Sequence, residues 1–268
     1  MMKYIAMVLV FASVLSCKSD TKKIESVKEG HGAKKEVNVS IPGYPEALMK
    51  IFENHGGIKN WKNKKTLVFQ IGEEQHTIDL QSRMDRIDGP GYSLGFDGEK
   101  VWLQDVDKAY KGDPVFYHNL RFYFFAMPFI LGDKGIIYGE TEDLEYEGVR
   151  YPGIAISFKS GTGVSYKDEY FLHYDPKTYE MAWLGYTVSY RSGERSNKVN
   201  WIRYDDWKET NGLKLPVALT WYSSEGRAIK APRKPVVYEK VEISEQASSP
   251  SLFKKPQNAV YVEGKVQE

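Results

Sequence analysis

Apolar and polar residues alternate along much of this chain, and the places where the alternation fails mark its other elements. Tyr186, Val188 and Tyr190 set against Thr187, Ser189 and Arg191 show the two-residue period of a strand with one wet face. The same reading predicts strands at residues 66–71, 75–81, 92–96 and 100–104. Strands return from Tyr138 onward and are predicted at 151–158, 169–174, 181–190, 198–207, 217–222 and 236–243. Turn residues separate them at fairly even spacing: Ser160-Gly161-Thr162-Gly163, Asp175-Pro176-Lys177, Ser192-Gly193 and Asn211-Gly212. Asp97-Gly98 supplies the tight turn of a hairpin running from Phe96 to Trp102. This is the pattern of a mainly β chain, an antiparallel meander curling into a barrel or part-barrel.

Two stretches break the strand rhythm. After Pro45, a residue suited to the first turn of a helix, Leu48, Ile51, Phe52 and His55 recur at helical spacing until Gly56-Gly57 stops them. Residues 117–131 (YHNLRFYFFAMPFIL) are greasy on nearly every face with Pro128 inside, which predicts one or two short buried helices. Ahead of both, residues 18–40 are polar, Lys-rich and without apolar period, as expected of a solvated tether.

Composition sharpens this picture in two respects. Of 268 residues 41% are hydrophobic, enough for a core, and 19 Tyr, 12 Phe and 6 Trp supply rings with a polar edge for wet strands or a rimmed pocket. Lys+Arg at 37 against Asp+Glu at 36 leaves no net positive field, which argues against nucleic acid as a partner. Cys17 is the single cysteine, so disulfides within the chain and Cys-based metal sites are excluded.

Reaction chemistry is hard to find. The five His (31, 55, 76, 118, 173) form no HExxH motif and no pair at ligand spacing on one helical face. Ser160–Ser165 lacks the GK[ST] ending of a phosphate loop and reads as a hairpin turn. No nucleophile elbow occurs, and Asp205-Asp206 and Glu73-Glu74 do not single out a catalytic pair. His55 reads as the closure of a helix end, with its charged form favoured by the dipole there. No catalytic residue, metal or cofactor is expected; a hydrolase built on His55 or His173 is the least favoured reading.

The first residues carry a different signal. Lys3, the apolar run through Val14 and then Val14-Leu15-Ser16-Cys17 resemble a lipoprotein signal-peptidase site. An apolar stretch of about 13 residues falls short of the roughly 20 that span a bilayer. The resemblance implies that residues 1–16 are removed and that Cys17 carries diacylglycerol and an N-acyl (palmitoyl-type) chain, anchoring the protein to a membrane. A plain secretory leader with an incidental cysteine is the competing reading. Lys18 after the cysteine favours the outer membrane, facing either the periplasm or the cell surface.

Beyond the tether, Phe96-Asp97-Gly98-Glu99-Lys100-Val101-Trp102, the 117–131 block, Tyr174-Asp175-Pro176-Lys177-Thr178 and the run from Tyr204-Asp205-Asp206-Trp207 to Asn211-Gly212-Leu213-Lys214-Leu215-Pro216 come in a telling order. In order and spacing they resemble the lipoprotein-carrier superfamily, the LolA/LolB-like incomplete barrels. They are also similar to uncharacterised outer-membrane lipoproteins with the same HGG…W and DGxxVW elements. The resemblance implies one domain over residues 41–268: a curved antiparallel sheet whose concave side is covered by helices and holds a lipid or a lipoprotein acyl chain. The expected lining is Trp102, Phe122, Phe125, Phe129, Leu131, Trp183, Tyr186, Trp201 and Trp221, with residues 117–131 as the lid. The alternative is an envelope scaffold whose aromatic residues fill a closed core and hold no ligand.

Overall fold

The structure, a computed structural model, describes residues 43–159, 167–190 and 192–263. The leader, the tether, Cys17 and the turn at Ser160–Ser165 lie outside the described residues.

Two helices, α1 (Glu46–Asn54) and α2 (Ile58–Asn63), precede five strands: β1 (Thr66–Ile71), β2 (Glu74–Asp79), β3 (Asp85–Gly89), β4 (Tyr92–Phe96) and β5 (Val101–Gln104). Next come α3 (Pro114–Tyr117), α4 (Leu120–Phe125) and a 3-10 turn at Phe129–Gly132. The second half holds β6 (Ile136–Glu140), a small hairpin of β7 (Leu144–Tyr146) and β8 (Val149–Tyr151), then β9 (Gly153–Phe158), β10 (Tyr170–Tyr174) and β11 (Met181–Tyr186). β12 (Asn200–Thr210), β13 (Leu213–Glu225), β14 (Ala228–Pro232), β15 (Val236–Val237), β16 (Glu239–Ser244) and β17 (Val260–Val262) complete the chain.

These strands form a mainly β, wholly antiparallel architecture that is not closed into a barrel. One sheet has the order β16-β1-β2-β3-β4-β5-β17, the other β14-β13-β12-β11-β10-β9-β6 with β15 also on β13. The segment 236–244 passes from one to the other. Val236 and Val237 pair with Leu219 and Ala218, Tyr238 donates its N–H to the Val217 carbonyl (2.8 Å), and residues 239–244 pair with β1. No helix among the described residues is long and apolar enough to cross a membrane.

Turn chemistry sets the registers. Asp97 Oδ1 accepts the N–H groups of Glu99 (3.0 Å) and Lys100 (2.8 Å), so Gly98 takes its positive φ in the β4–β5 turn. Asn211 and Gly212, with φ of 54° and 76°, join the long strands β12 and β13. Pro216, which cannot donate to a ladder, sits opposite Trp207 where the β12–β13 register slips. At the end of α1, a Cβ on Gly56 (φ 97°) would lie 2.1 Å from the Gly212 carbonyl oxygen, so only glycine lets the helix end meet that turn.

The alternation at 186–190 inverts beyond β11. Thr187 and Ser189 are buried while Val188 is exposed. Where the ladder ends, Thr187 Oγ1 accepts the Glu169 N–H (2.9 Å) and Asp168 Oδ1 accepts the Ser189 N–H (2.6 Å). Backbone donors without a strand partner drew polar side chains inward.

Candidate functional site: the plugged inner face

Cross-strand partners share a face of a sheet, so the ladders sort side chains into inner and outer. Phe69, His76, Ile87 and Leu94 are successive partners on one side, as are Leu172, Leu184, Ile202 and Trp221 on the other sheet. These rows face the helices. Leu48, Ile51 and Phe52 of α1, Trp61 of α2 and residues 122–131 join Phe69, Leu172, Leu184 and Ile202 in one core.

Apart from the exposed Tyr123, residues 122–131 are buried in this face, as the all-round greasiness of the 117–131 block predicted. Phe129 stacks on Trp61 with centroids 4.8 Å apart, and Phe125 lies between Phe69 (4.9 Å) and Tyr238 (4.8 Å). Tyrosine hydroxyls tie down its backbone: Tyr204 donates to the Phe124 carbonyl (2.8 Å), Tyr138 to that of Leu131 (2.5 Å), Tyr44 to that of Gly132 (2.8 Å). Its N-terminal end is held by charge. Asp113 Oδ1 caps α3 at Val115 and Phe116, Tyr117 donates to Glu74 Oε2 (2.5 Å), and His118 Nδ1 lies 3.4 Å from Asp85 Oδ1. Burial raises Asp85, with His118 opposing it. Burial also raises Glu74, but hydrogen bonds from His76, Tyr117 and Tyr92 outweigh it and bring Glu74 to about 2.

One end of the inner face stays partly open. Tyr170, Tyr186 and Trp221 are half-buried around Phe124, whose ring lies 5.0 Å from Tyr186 and 5.5 Å from Trp221. Trp221 Nε1 donates to the Tyr186 hydroxyl at 3.0 Å. Tyr123 is 39% exposed, and burial still pushes its hydroxyl up. Above Trp221 stands Arg121, its guanidinium 5.7 Å from that ring and 5.8 Å from Tyr117. Its Nε is buried without a hydrogen-bond partner, while the guanidinium reaches the Tyr117 hydroxyl and opposes the rise that burial imposes there.

Of the residues expected to line a cleft, Phe122, Phe125, Phe129 and Leu131 fill the interior, and Tyr186 and Trp221 flank its open end. Trp102, Trp183 and Trp201 are a correction: they lie on the outer face. Trp183 and Trp201 belong to a separate core with Tyr151 and Phe171, against which Leu144 and Tyr146 of the β7–β8 hairpin pack. Trp102, the partner of Gly95, donates Nε1 to the Phe253 carbonyl (2.9 Å) beneath the C-terminal segment. The outer face is greasy too, so Trp201 beside Ile202 gave no sign of which pointed inward. Sequence reading also passed over Arg121, although a lone cation inside an aromatic block was its visible signal.

His55 corrects a second expectation, because it closes α1 as a neutral ring. Nε2 accepts the Met181 N–H (3.1 Å), which leaves the proton on Nδ1, facing the Lys214 carbonyl at 3.4 Å. Burial lowers its pKa to about 3, overriding any pull from the helix dipole. His173, on the outer face with Nδ1 3.2 Å from the Tyr151 carbonyl, is likewise lowered by burial, to about 4. Two surface clefts, of about 280 and about 430 Å³, mix charged side chains such as Lys208 and Glu239, or Arg83 and Asp133, with apolar ones such as Leu215 and Val217, or Trp61 and Leu80.

The fold and site define an open antiparallel half-barrel with a helical plug on its inner face. No protein-family model matches the chain, and no curated protein matches it in sequence. Among solved structures it is similar to a LolA superfamily protein from Nitrosomonas europaea, at 8% identity and a TM-score of 0.40, over 78% of this chain and 97% of that one. It is also similar to a DUF1329 family protein from Desulfovibrio piger (9% identity, TM-score 0.43, 78% and 95% covered). A third similar structure is described as an outer-membrane lipoprotein-sorting protein domain, from Vibrio parahaemolyticus (8%, 0.38, 71% and 92%).

Proposed function

We propose that this chain is a lipid-anchored envelope protein, held at the outer membrane through acylated Cys17 and a tether over residues 17–40. Its half-barrel, residues 41–268, takes up the acyl chain of a lipid or lipoprotein on the inner face. The observation that carries this reading is the aromatic mouth. Tyr170, Tyr186 and Trp221 keep water-accessible surface beside Phe124 on a face that is otherwise filled. Apolar walls with a few placed polar groups are the usual make-up of a ligand site. The Tyr186 hydroxyl, the Trp221 indole N–H and Arg121 supply the polar part. Deeper entry would require the α4 segment to withdraw from Phe69 and Tyr238.

To test this, the full chain is extracted from its membrane in mild detergent and analysed by native mass spectrometry. A bound lipid beyond the anchor, lost on widening the mouth by Trp221→Ala, is expected. A chain that carries only the acyl groups of Cys17 and takes up no photoactivatable fatty acid overturns the reading. The second reading, a scaffold with a filled core, is favoured by the near-complete burial of Phe122, Phe125, Phe129 and Leu131. Crosslinking to a specific envelope protein, with blank lipid assays, would establish it.

A further inference from the structure

We propose that Arg121 receives the negatively charged head of an acyl lipid whose chain lies along Tyr186 and Trp221. This deepens the acyl-chain reading and rests on it. A guanidinium carries five N–H donors, and a partly buried one normally has a carboxylate or carbonyl to receive them. Arg121 has its Nε buried and unpartnered, with the flat faces of Tyr117 and Trp221 about it. Cation–π contact and the Tyr117 hydroxyl steady the charge but leave the buried Nε–H unmet.

The acids nearest the mouth are already engaged. Glu74 accepts from Tyr92 and Tyr117, and Asp168 accepts the Ser189 N–H. The Tyr238 hydroxyl, close enough to Arg121 for the cation to oppose the rise that burial imposes on it, is also buried without a partner. Arg233 adds a second positive charge that reaches Tyr186. A corner whose acids are already hydrogen-bonded, with a buried donor to spare beside greasy walls, fits an anionic head with an apolar tail. A neutral alcohol or ester head would leave the charge uncompensated.

The full chain, reconstituted in nanodiscs of neutral lipid at pH 8, is labelled with two photoactivatable probes that differ only in the head: a diazirine-bearing oleate and the matching oleyl alcohol. Wild type should label with the oleate about tenfold more strongly, the factor expected of one charge-assisted hydrogen bond, and the label should map to peptides carrying Tyr186 or Trp221. Arg121→Gln should erase that preference, bringing the ratio of oleate to alcohol labelling to about one, and Arg121→Lys should restore part of it. Equal labelling by both probes in wild type, or an oleate preference that survives Arg121→Gln, overturns the head-group assignment and leaves the acyl-chain reading standing. Labelling by neither probe overturns both. Should Arg121→Gln fail to fold, a wild-type oleate preference that persists after Arg121→Lys and vanishes in 1 M salt supports the assignment, and one indifferent to salt counts against it.

Discussion

Tyr204, wholly buried on β12, donates its hydroxyl to the carbonyl oxygen of Phe124 at 2.8 Å. The acceptor lies in the last turn of α4, where helix carbonyls lack an intrahelical donor. The bond therefore fastens the plug to the sheet and meets a need the helix cannot meet itself. Tyr204→Phe should lower unfolding free energy by about 1–3 kcal/mol, since it strands a buried carbonyl. Denaturant titration measures the loss, and hydrogen exchange should quicken around residues 122–127 before it does in the strands.

Phe129 is the centre of the plug, stacked between Trp61 and Phe52. Phe129→Ala should cost about 3–5 kcal/mol by opening a cavity, while Phe129→Leu should cost less. Thermal melts of the two variants check the ordering. A loss below about 1 kcal/mol for the alanine variant would mean that the interior is looser than its burial indicates.

Acid should destabilise the fold before carboxylates begin to titrate. His55 and His173 stay neutral in the folded chain down to about 3 and about 4, whereas both take up a proton near 6.5 when unfolded. The unfolded state thus binds more protons, and stability rises with pH across this range. It is fully present above 6.5 and is lost as pH falls towards 4 for His173 and towards 3 for His55. Glu74 extends the loss from about 4.5 down to about 2. Unfolding free energies should decline from pH 8 through 6 to 5, with the raised carboxyl of Asp85 opposing the decline at lower pH, and His173→Gln should flatten the upper part of that slope. A flat profile between pH 7 and 5 contradicts the burial of both rings.

The sorting of faces gives a paired test. Trp183→Phe and Trp201→Phe alter the outer core alone, so they should lower the melting temperature and leave labelling by a photoactivatable fatty acid unchanged. Tyr186→Ala and Trp221→Phe, at the mouth, should reduce labelling with a smaller effect on melting. Comparing labelling at matched fractions of folded protein separates the two effects.

The anchor is tested chemically. Cys17→Ser should abolish incorporation of radiolabelled palmitate in growing cells and release the protein from the membrane fraction. Unchanged fractionation would favour a leader that ends elsewhere.

Much of the architecture was legible in the chain because its turns carry strong local chemistry: Asp97-Gly98, Asp175-Pro176 and Asn211-Gly212 each close where expected. α1 was legible from Leu48, Ile51 and Phe52, all buried as their spacing demands. β3 was not. Its sequence DRIDG is polar because Arg86 pairs with Asp88 on the outer face and Asp85 is turned inward to meet the Phe96 N–H and His118. α2 was missed because its six residues hold one buried side chain, Trp61. Tertiary contact, not local preference, makes both elements. Of the residues named for the lining, only Tyr186 and Trp221 lie beside Phe124; which tryptophans face inward depends on the parity of each strand, a single-residue matter where both faces are covered.

The passage of segment 236–244 between the sheets has a mechanical consequence. Two residue pairs on β13 and four on β1, with one bond from Tyr238, make up the backbone stitching that this strand provides. The two pairs with β13 are fewer than in any other ladder among the described residues, so the β13 side of this passage is the thinnest backbone joint between the sheets. A wedge entering beside Phe125 would act on that seam through Tyr238, spreading the halves while leaving the ladders within each intact.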